Sequence, residues 1–405
     1  MTDVTNLEEL LGSDDETAVI TIASTADLAF ATKKFVLQAQ LEKAAFVLPS
    51  KDHIPVLKHF QIEVSDDGLR VMATDLELSV LASTPVIAQE RRVGTAMFPG
   101  VKFLQLIKEA ADSDIHVDVH DGYAHIECGP TTWNLRLRDG AEYPDLPNVA
   151  EVEFHKINRV KFLGGIAAVR YAAAHDQTRT NLMMIDFTNG KMVACDGARY
   201  QEADLIGKEA RKDGASFPLS LQIPIGAVPN LLKLLKTTEG EDILIGETDN
   251  ALVFNIGSDM FVANKLTVSF PDMDTLLKRP AMENHEVLTV DRQELIEAVR
   301  RVRITADPET SAIVLALAPN ELAVRTKDKY GNESDQAIHA GWAEESREIA
   351  VNHAYLSDML EMTDSKTCTF KLGPDTKTKK ASLVLEDEET DSVGILSTMR
   401  PDWLT

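Results

Sequence analysis

Cysteine is scarce in this chain: three in 405 residues, one each in widely separated stretches. That number and scatter exclude a disulfide framework and a zinc site of CxxC spacing, so Cys128, Cys195 and Cys368 read as reduced structural thiols. No apolar run approaches the length needed to cross a bilayer. The opening MTDVTNLEELLGSDDET is acidic where a signal or transit peptide would be basic, so a cytoplasmic protein with no membrane partner is expected. Also missing are a GxxxxGK[ST] phosphate loop, a GxGxxG after a strand, a GxSxG nucleophile and clustered carboxylates for a two-metal centre. No enzyme, cofactor or metal is expected from such a sequence. Bases are few as well: 41 Lys and Arg stand against 65 Asp and Glu, a net charge of −24. That total argues at first against a phosphate backbone as partner, but placement matters more than the sum. Residues 1–17 hold six acids and no base, and 381–393 hold five, so two segments carry much of the excess.

What is present is a repeat. Strand, amphipathic helix and further strands recur as KFVLQAQLEKAAFVL with LRVMATDLELSV, as EFHKINRVKFLGGIAAVRYAAA with GKMVACDGARYQEADL, and as EVLTVDRQELIEAVRRV with NELAVRTKDKYG. Second halves begin at FPGVKFLQLIKEA, IPIGAVPNLLKLLK and VNHAYLSDMLEM, placing Pro99, Pro224 and Asn352 at intervals of 125 and 128 residues. Even spacing on that scale predicts three similar domains. We place an N-terminal extension at 1–31, including the β-prone TAVITIAST, and domains at 32–150, 151–280 and 281–405. The first two domains close on Tyr143-Pro144-Asp145 and Phe270-Pro271-Asp272, where proline suits an exit turn. Strand signals dominate and each domain has two good helices, which predicts an α+β fold with helices on one face of antiparallel sheets.

The helices carry the informative chemistry. Phe103, Leu104, Ile107 and Ala111 oppose Lys102, Gln105 and Glu109, with Lys108 at the edge; Leu231, Leu234 and Leu235 oppose Asn230, Lys233 and Lys236; Leu295, Ile296, Val299 and Val302 oppose Gln293, Glu297, Arg300 and Arg301. For one helix, bases on the outward face are the ordinary solvated surface. Repeated across three domains of an acidic chain, they would form one positive surface suited to a phosphate backbone without base readout. The helix at 352–361, with Ser357, Asp358 and Glu361 outward, is the exception.

Several candidates for catalysis read better as structure. His116 and His120 lie in IHVDVH, whose alternation puts Ile115, Val117 and Val119 inward and both histidines on the wet side of a strand. The polar run His175-Asp176-Gln177-Thr178-Arg179 has no nucleophile beside it and suits a loop that hydrogen-bonds a ligand, while Cys195-Asp196 matches Thr74-Asp75 in the first repeat, as a packed strand residue would.

IPVLKHFQIEVSDDGLRVMATDLELSV, HDQTRTNLMMIDFTNGKMVACDGARY, SFPDMDTLL and GILSTMRP, taken in order over residues 32–401, resemble the bacterial sliding clamp family, the beta subunit of DNA polymerase III. The resemblance implies a head-to-tail homodimer whose six domains close into a ring, helices lining the hole and sheets outside, threaded by double-stranded DNA. Carried over by position, Lys51 looks like the DNA contact of the first domain and His175, Gln177, Arg179 and Asn181 like the DNA-touching loop of the second. A groove for peptides of the QL-S/D-LF type, from the polymerase III catalytic subunit, the clamp loader and repair polymerases or ligase, is similar to a surface of Leu182, Gly197, Arg199, Tyr200, Pro271, Leu276, Met399 and Arg400. The chain departs from the family pattern at Met183-Met184, Ala198-Arg199-Tyr200 and Ser397-Thr398-Met399-Arg400, and continues as Pro401-Asp402-Trp403-Leu404-Thr405, so a peptide preference does not carry over. Trp403 and Leu404 are expected near the groove. Two other readings stay open at this point: a scaffold of repeated domains that binds peptides but no DNA, and an enzyme using the His175 to Arg179 loop.

Overall fold

The computed structural model describes residues 27–50, 54–84, 91–138, 143–273, 285–373, 382–387 and 389–400. One order of elements occurs three times: strand, helix, four strands, helix, three strands. The first repeat is β1 (Ala29–Lys33), α1 (Lys34–Ala44), β2 (His59–Val64), β3 (Leu69–Thr74), β4 (Leu78–Thr84), β5 (Gly94–Pro99), α2 (Gly100–Glu109), β6 (Asp114–His120), β7 (Tyr123–Cys128) and β8 (Thr131–Arg136). The second is β9 (His155–Asn158), α3 (Arg159–Val169), β10 (Met184–Thr188), β11 (Lys191–Cys195), β12 (Arg199–Asp204), a short extra α4 (Lys208–Lys212), β13 (Ser220–Pro224), α5 (Val228–Thr237), β14 (Asp242–Glu247), β15 (Ala251–Ile256) and β16 (Asp259–Asn264). The third is β17 (Glu286–Asp291), α6 (Arg292–Val302), β18 (Ala312–Ala318), β19 (Glu321–Lys327), β20 (Glu333–Gly341), β21 (Arg347–Asn352), α7 (His353–Glu361), β22 (Thr367–Leu372), β23 (Ser382–Asp387) and β24 (Ser392–Ser397). β1 starts at Ala29, inside the stretch assigned to the extension; TAVITIAST, Trp403 and Leu404 lie outside the described residues.

Each repeat sorts its strands into two antiparallel sets of four. Their orders are β1-β6-β7-β8 and β5-β2-β3-β4, then β9-β14-β15-β16 and β13-β10-β11-β12, then β17-β22-β23-β24 and β21-β18-β19-β20. The described residues form two compact units: one runs to Asp145 without Leu76–Ser79, and the other comprises Leu76–Ser79 and everything from Leu146. Inside the second unit β12 pairs with β24, from Arg199 opposite Leu396 to Ala203 opposite Ser392, so one sheet runs from the second repeat into the third.

Sequence pattern explains where these elements pack. In β6 the residues Ile115, Val117 and Val119 are buried while His116 is exposed and His120 half-buried. Helix α2 buries Phe103 and Ile107; Leu104 is half-buried, and Ala111, expected on the core side, lies beyond the helix end and is exposed. In the third repeat Leu295, Ala298, Val299 and Val302 of α6 share a core with Leu356, Met359 and Leu360 of α7 and the strand residues beneath them. Each fully buried Leu, Val or Met among them contributes roughly 2 kcal/mol. Helix starts are fixed by Asn158, Asp291 and Asn352, whose side chains accept the backbone N–H of Lys161, Glu294 and Ala354 respectively. Gly165 lets α3 sit close to its sheet, since a Cβ there would lie 2.7 Å from Leu205 Cδ1 and 2.9 Å from Met192 Sδ. All three cysteines are free and buried, and burial raises the Cys195 thiol and pushes Cys368 up to about 11. A buried, protonated thiol is a packing residue.

Candidate nucleic-acid interface and partner groove

Charge on the helices runs opposite to charge on the chain. Among the described residues, and leaving aside the short α4, the helices hold 11 Lys and Arg and 6 Asp and Glu, in a chain with 41 and 65. The anticipated bases Lys102, Lys108, Lys233, Lys236, Arg300 and Arg301 are all exposed. Lys108 and Arg301 are partly neutralised by neighbours. Lys108 Nζ lies 3.1 Å from Glu42 of α1, and Arg301 pairs with Glu297 one turn back at 2.7 Å. Sequence reasoning passed over α1 and α3, which add Lys34, Lys43 and the exposed Lys161. Their cations sit among Gln, Gly and Ala positions, so no clean polar stripe marks them. Arg159 of α3 turns to structure instead, donating from Nε to Gly240 and from Nη1 to Leu235, the latter in the last turn of α5. Lys51 lies outside the described residues.

The polar loop is displayed to solvent. His175, Gln177, Arg179 and Asn181 are exposed, the last three on a short turn at Gln177–Leu182 whose Thr178 amide is capped by Asp176. Hydrogen bonds from the Thr178 backbone and hydroxyl hold the Asp176 carboxyl below the usual carboxylate range. Ala174 N donates to Leu182 O at 3.0 Å and closes the loop. The Arg179 guanidinium folds back and donates to Asp196 O at the β11–β12 turn. Gly197, in that turn with φ of +90°, leaves space for it; a Cβ there would lie 2.7 Å from Arg179 Nη1.

Of the expected groove residues, Gly197 and Arg199 belong to this turn and Tyr200 follows it in β12. Leu182, Pro271 and Met399 are half-buried, Gly197 and Arg400 exposed, and Leu276 lies outside the described residues. The C-terminal segment is tied to both repeats of the second unit: Ser397 N donates to Ala198 O and Met399 N to Ala350 O. Arg199 and Tyr200 differ from open groove liners. Tyr200 is 4 % exposed and donates from Oη to Glu202 Oε2 at 2.6 Å. Arg199 has 11 % of its side chain exposed. Its Nε meets Asp196 Oδ2 at 2.9 Å and its Nη1 meets Asp358 of α7, while the guanidinium lies 4.2 Å from the centre of the Tyr355 ring and 5.3 Å from that of Tyr171. The charge therefore joins the second repeat to the third. Tyr171, Tyr355 and Asp358 were not among the sequence candidates, because nothing local to them signals a partner 159 residues from Asp358.

Thrice-repeated sheets of this order, with bases concentrated on the helices, define a three-domain clamp fold. Two family models match the chain: DNA polymerase III beta subunit, N-terminal domain, over residues 28–147, and DNA polymerase III beta subunit, C-terminal domain, over 280–399. The chain belongs to the DNA polymerase III beta subunit family. It is 26 % identical over 328 residues to the beta sliding clamp of Chlamydia trachomatis, covering 79 % of this chain and 76 % of that one. To the beta sliding clamp of Haemophilus influenzae it is 25 % identical over 338 residues, 82 % of this chain and 89 % of the other. The crystal structure of a DNA polymerase sliding clamp from Pseudomonas aeruginosa superposes with a TM-score of 0.80 at 22 % identity, covering 92 % of this chain and all of that one.

Proposed function

We infer that this chain is a DNA sliding clamp: a non-catalytic, cytoplasmic processivity factor that encircles duplex DNA as a head-to-tail dimeric ring and tethers polymerase and other replication or repair proteins through the groove. The observation that carries the reading is the segregation of charge: 11 bases to 6 acids on the described helices other than α4, in a chain with net charge −24. A scaffold that binds peptides alone gives no reason for it. Helices facing a central hole place Lys102, Lys236 and Arg300 toward phosphates, and a threaded duplex needs no tight contact to be retained. His175, Gln177, Arg179 and Asn181 are proposed as further DNA contacts, and Leu182, Gly197, Pro271 and Met399 as the groove, with Arg400 at its rim. Arg199 and Tyr200 brace the groove from beneath.

The internal repeat supports the dimer and suggests its register. β8 holds in the first repeat the place of β24 in the third, and β20 the place of β12 in the second. Repeating the β12–β24 junction between two copies sets Ser334 opposite Trp133, as Gln201 is opposite Gly394. Among the described residues, the second edge of β20 is paired only at Ala340 and Gly341. Ile304 is 80 % exposed at the position where the second repeat has Tyr171, which packs against the core of the third. Bulk is redistributed: Gln201, which accepts from Tyr171, faces a glycine, whereas Ser334 would face a tryptophan. A contact between unlike surfaces builds a ring when its rotation closes. Trp133→Glu and Ile304→Glu are expected to give folded monomers by analytical ultracentrifugation, with loss of polymerase stimulation; a dimer unchanged by both substitutions contradicts this interface.

A further inference from the structure

The β11–β12 turn, Asp196 to Arg199, is touched from three sides by parts with separate proposed roles. Asp196 Oδ1 accepts the amides of Ala198 at 2.8 Å and Arg199 at 2.9 Å, and Oδ2 accepts Arg199 Nε at 2.9 Å. The same residue's carbonyl accepts the Arg179 guanidinium. Ala198 O holds Ser397 of the C-terminal segment at 2.9 Å, and Arg199 reaches Asp358 of α7. One four-residue turn thus meets the exposed 175–181 loop, the groove and the junction of two repeats.

We propose that Arg179 is a positioning residue that couples DNA engagement to partner-peptide binding, because the exposed guanidinium offered to a phosphate is the same group that bonds the Asp196 carbonyl. This rests on the clamp reading above. Without DNA, Arg179 brings Nη1 close over Gly197 and bonds the Asp196 carbonyl, so the turn is held where Gly197 borders the groove. A phosphate oxygen carries a full charge and is the stronger acceptor for a planar guanidinium, so threaded DNA draws Arg179 away. The turn then loses one of its restraints, and Gly197, with no side chain of its own to pack, shifts relative to Leu182 and Met399. By linkage, the factor by which DNA changes peptide affinity equals the factor by which peptide changes DNA affinity. A coupling of this kind is typically worth fivefold or more. Lysine at 179 keeps the charge for a phosphate but has no planar fork to lie along the turn.

The test uses the full chain assembled on nicked circular DNA or free in solution, with a fluorescein-labelled peptide of sequence QLSLF read by anisotropy. For the unmodified chain, the dissociation constant should differ at least threefold with and without the circle. For Arg179→Ala and Arg179→Lys the two values should converge to within a factor of about 1.5, while Arg179→Lys keeps near-normal retention on the circle. Exchange of the Ala198 and Arg199 amides should speed up when the unmodified chain is on DNA. Equal peptide affinity on and off DNA for the unmodified chain overturns the proposal, as does a full difference surviving in Arg179→Lys. Failure of the unmodified chain to bind the peptide in either state also overturns the proposal, whereas failure to stay on the circle would instead count against the clamp reading itself.

Discussion

Arg199 offers a direct test of how the second and third repeats are held together. Replacing it with alanine removes a charge-assisted bond to Asp196, another to Asp358 and the stacking on Tyr355. Charge-assisted bonds contribute about 1.5–3 kcal/mol each, and a cation over an aromatic ring about 0.5–2 kcal/mol. The Asp358 side chain is 43 % exposed, so solvent screening reduces its bond toward the lower end, about 1 kcal/mol. Asp196, at 13 % exposure, keeps its amide bonds but loses its ion pair. The expected loss for Arg199→Ala is therefore about 3 kcal/mol. In a unit of this size that corresponds to a fall of roughly 6–12 °C in melting temperature. Urea unfolding of Arg199→Ala, Asp358→Asn and the double variant should give a coupling energy of about 1 kcal/mol. Arg199→Lys should recover less than half the loss, since an ammonium cannot bond two carboxylates and lie along a ring together. A loss below 1 kcal/mol for Arg199→Ala, or strictly additive effects with Asp358→Asn, would refute the role given to this residue.

Two further outcomes are expected. Lys236→Ala and Arg300→Ala should each reduce the slope of log affinity for short duplex DNA against log salt by about 0.9, with stability changed by less than about 0.5 kcal/mol; unaltered slopes would remove these helices from the DNA surface. Burial, aided by the charges of Arg138 and Arg303, holds His59 and His353 below the ordinary 6.5, against the pull of carbonyl bonds at His59. The unfolded chain therefore takes up these protons first, so their contribution to stability is complete above pH 6.5 and shrinks as pH falls below it. Chemical unfolding between pH 7.5 and 5.5 should show that decline, and His353→Gln should flatten it; a variant with the same pH slope as the parent would contradict the assignment.

Much of the architecture was legible because repetition multiplies a weak signal. One amphipathic stretch such as FPGVKFLQLIKEA says little, but its recurrence near Pro224 and Asn352 marks three domains, and β6 alternates as IHVDVH requires. Side-chain pairing was not legible. Lys108 reads as a solvated cation, yet Glu42, 66 positions earlier, sits against it in the fold. Arg199 is a groove residue by resemblance to the family, which carries over a position and not the direction of a side chain; here that direction is set by Tyr355 and Asp358 on a distant helix. Ala111 was assigned to a helix face by periodicity, but the helix stops at Glu109 and the chain leaves the core. Tertiary contact decides such cases, and the local pattern contains no record of it.

The measurement closest to the central claim compares DNA circles with the same DNA cut once. If the chain holds DNA by encircling it, loaded protein should co-migrate with nicked circles through gel filtration at salt high enough to abolish phosphate binding, and should fall off when a single cut provides an end. Equal retention on cut and uncut DNA, or release from both at the same salt, would show ordinary electrostatic association and contradict the ring.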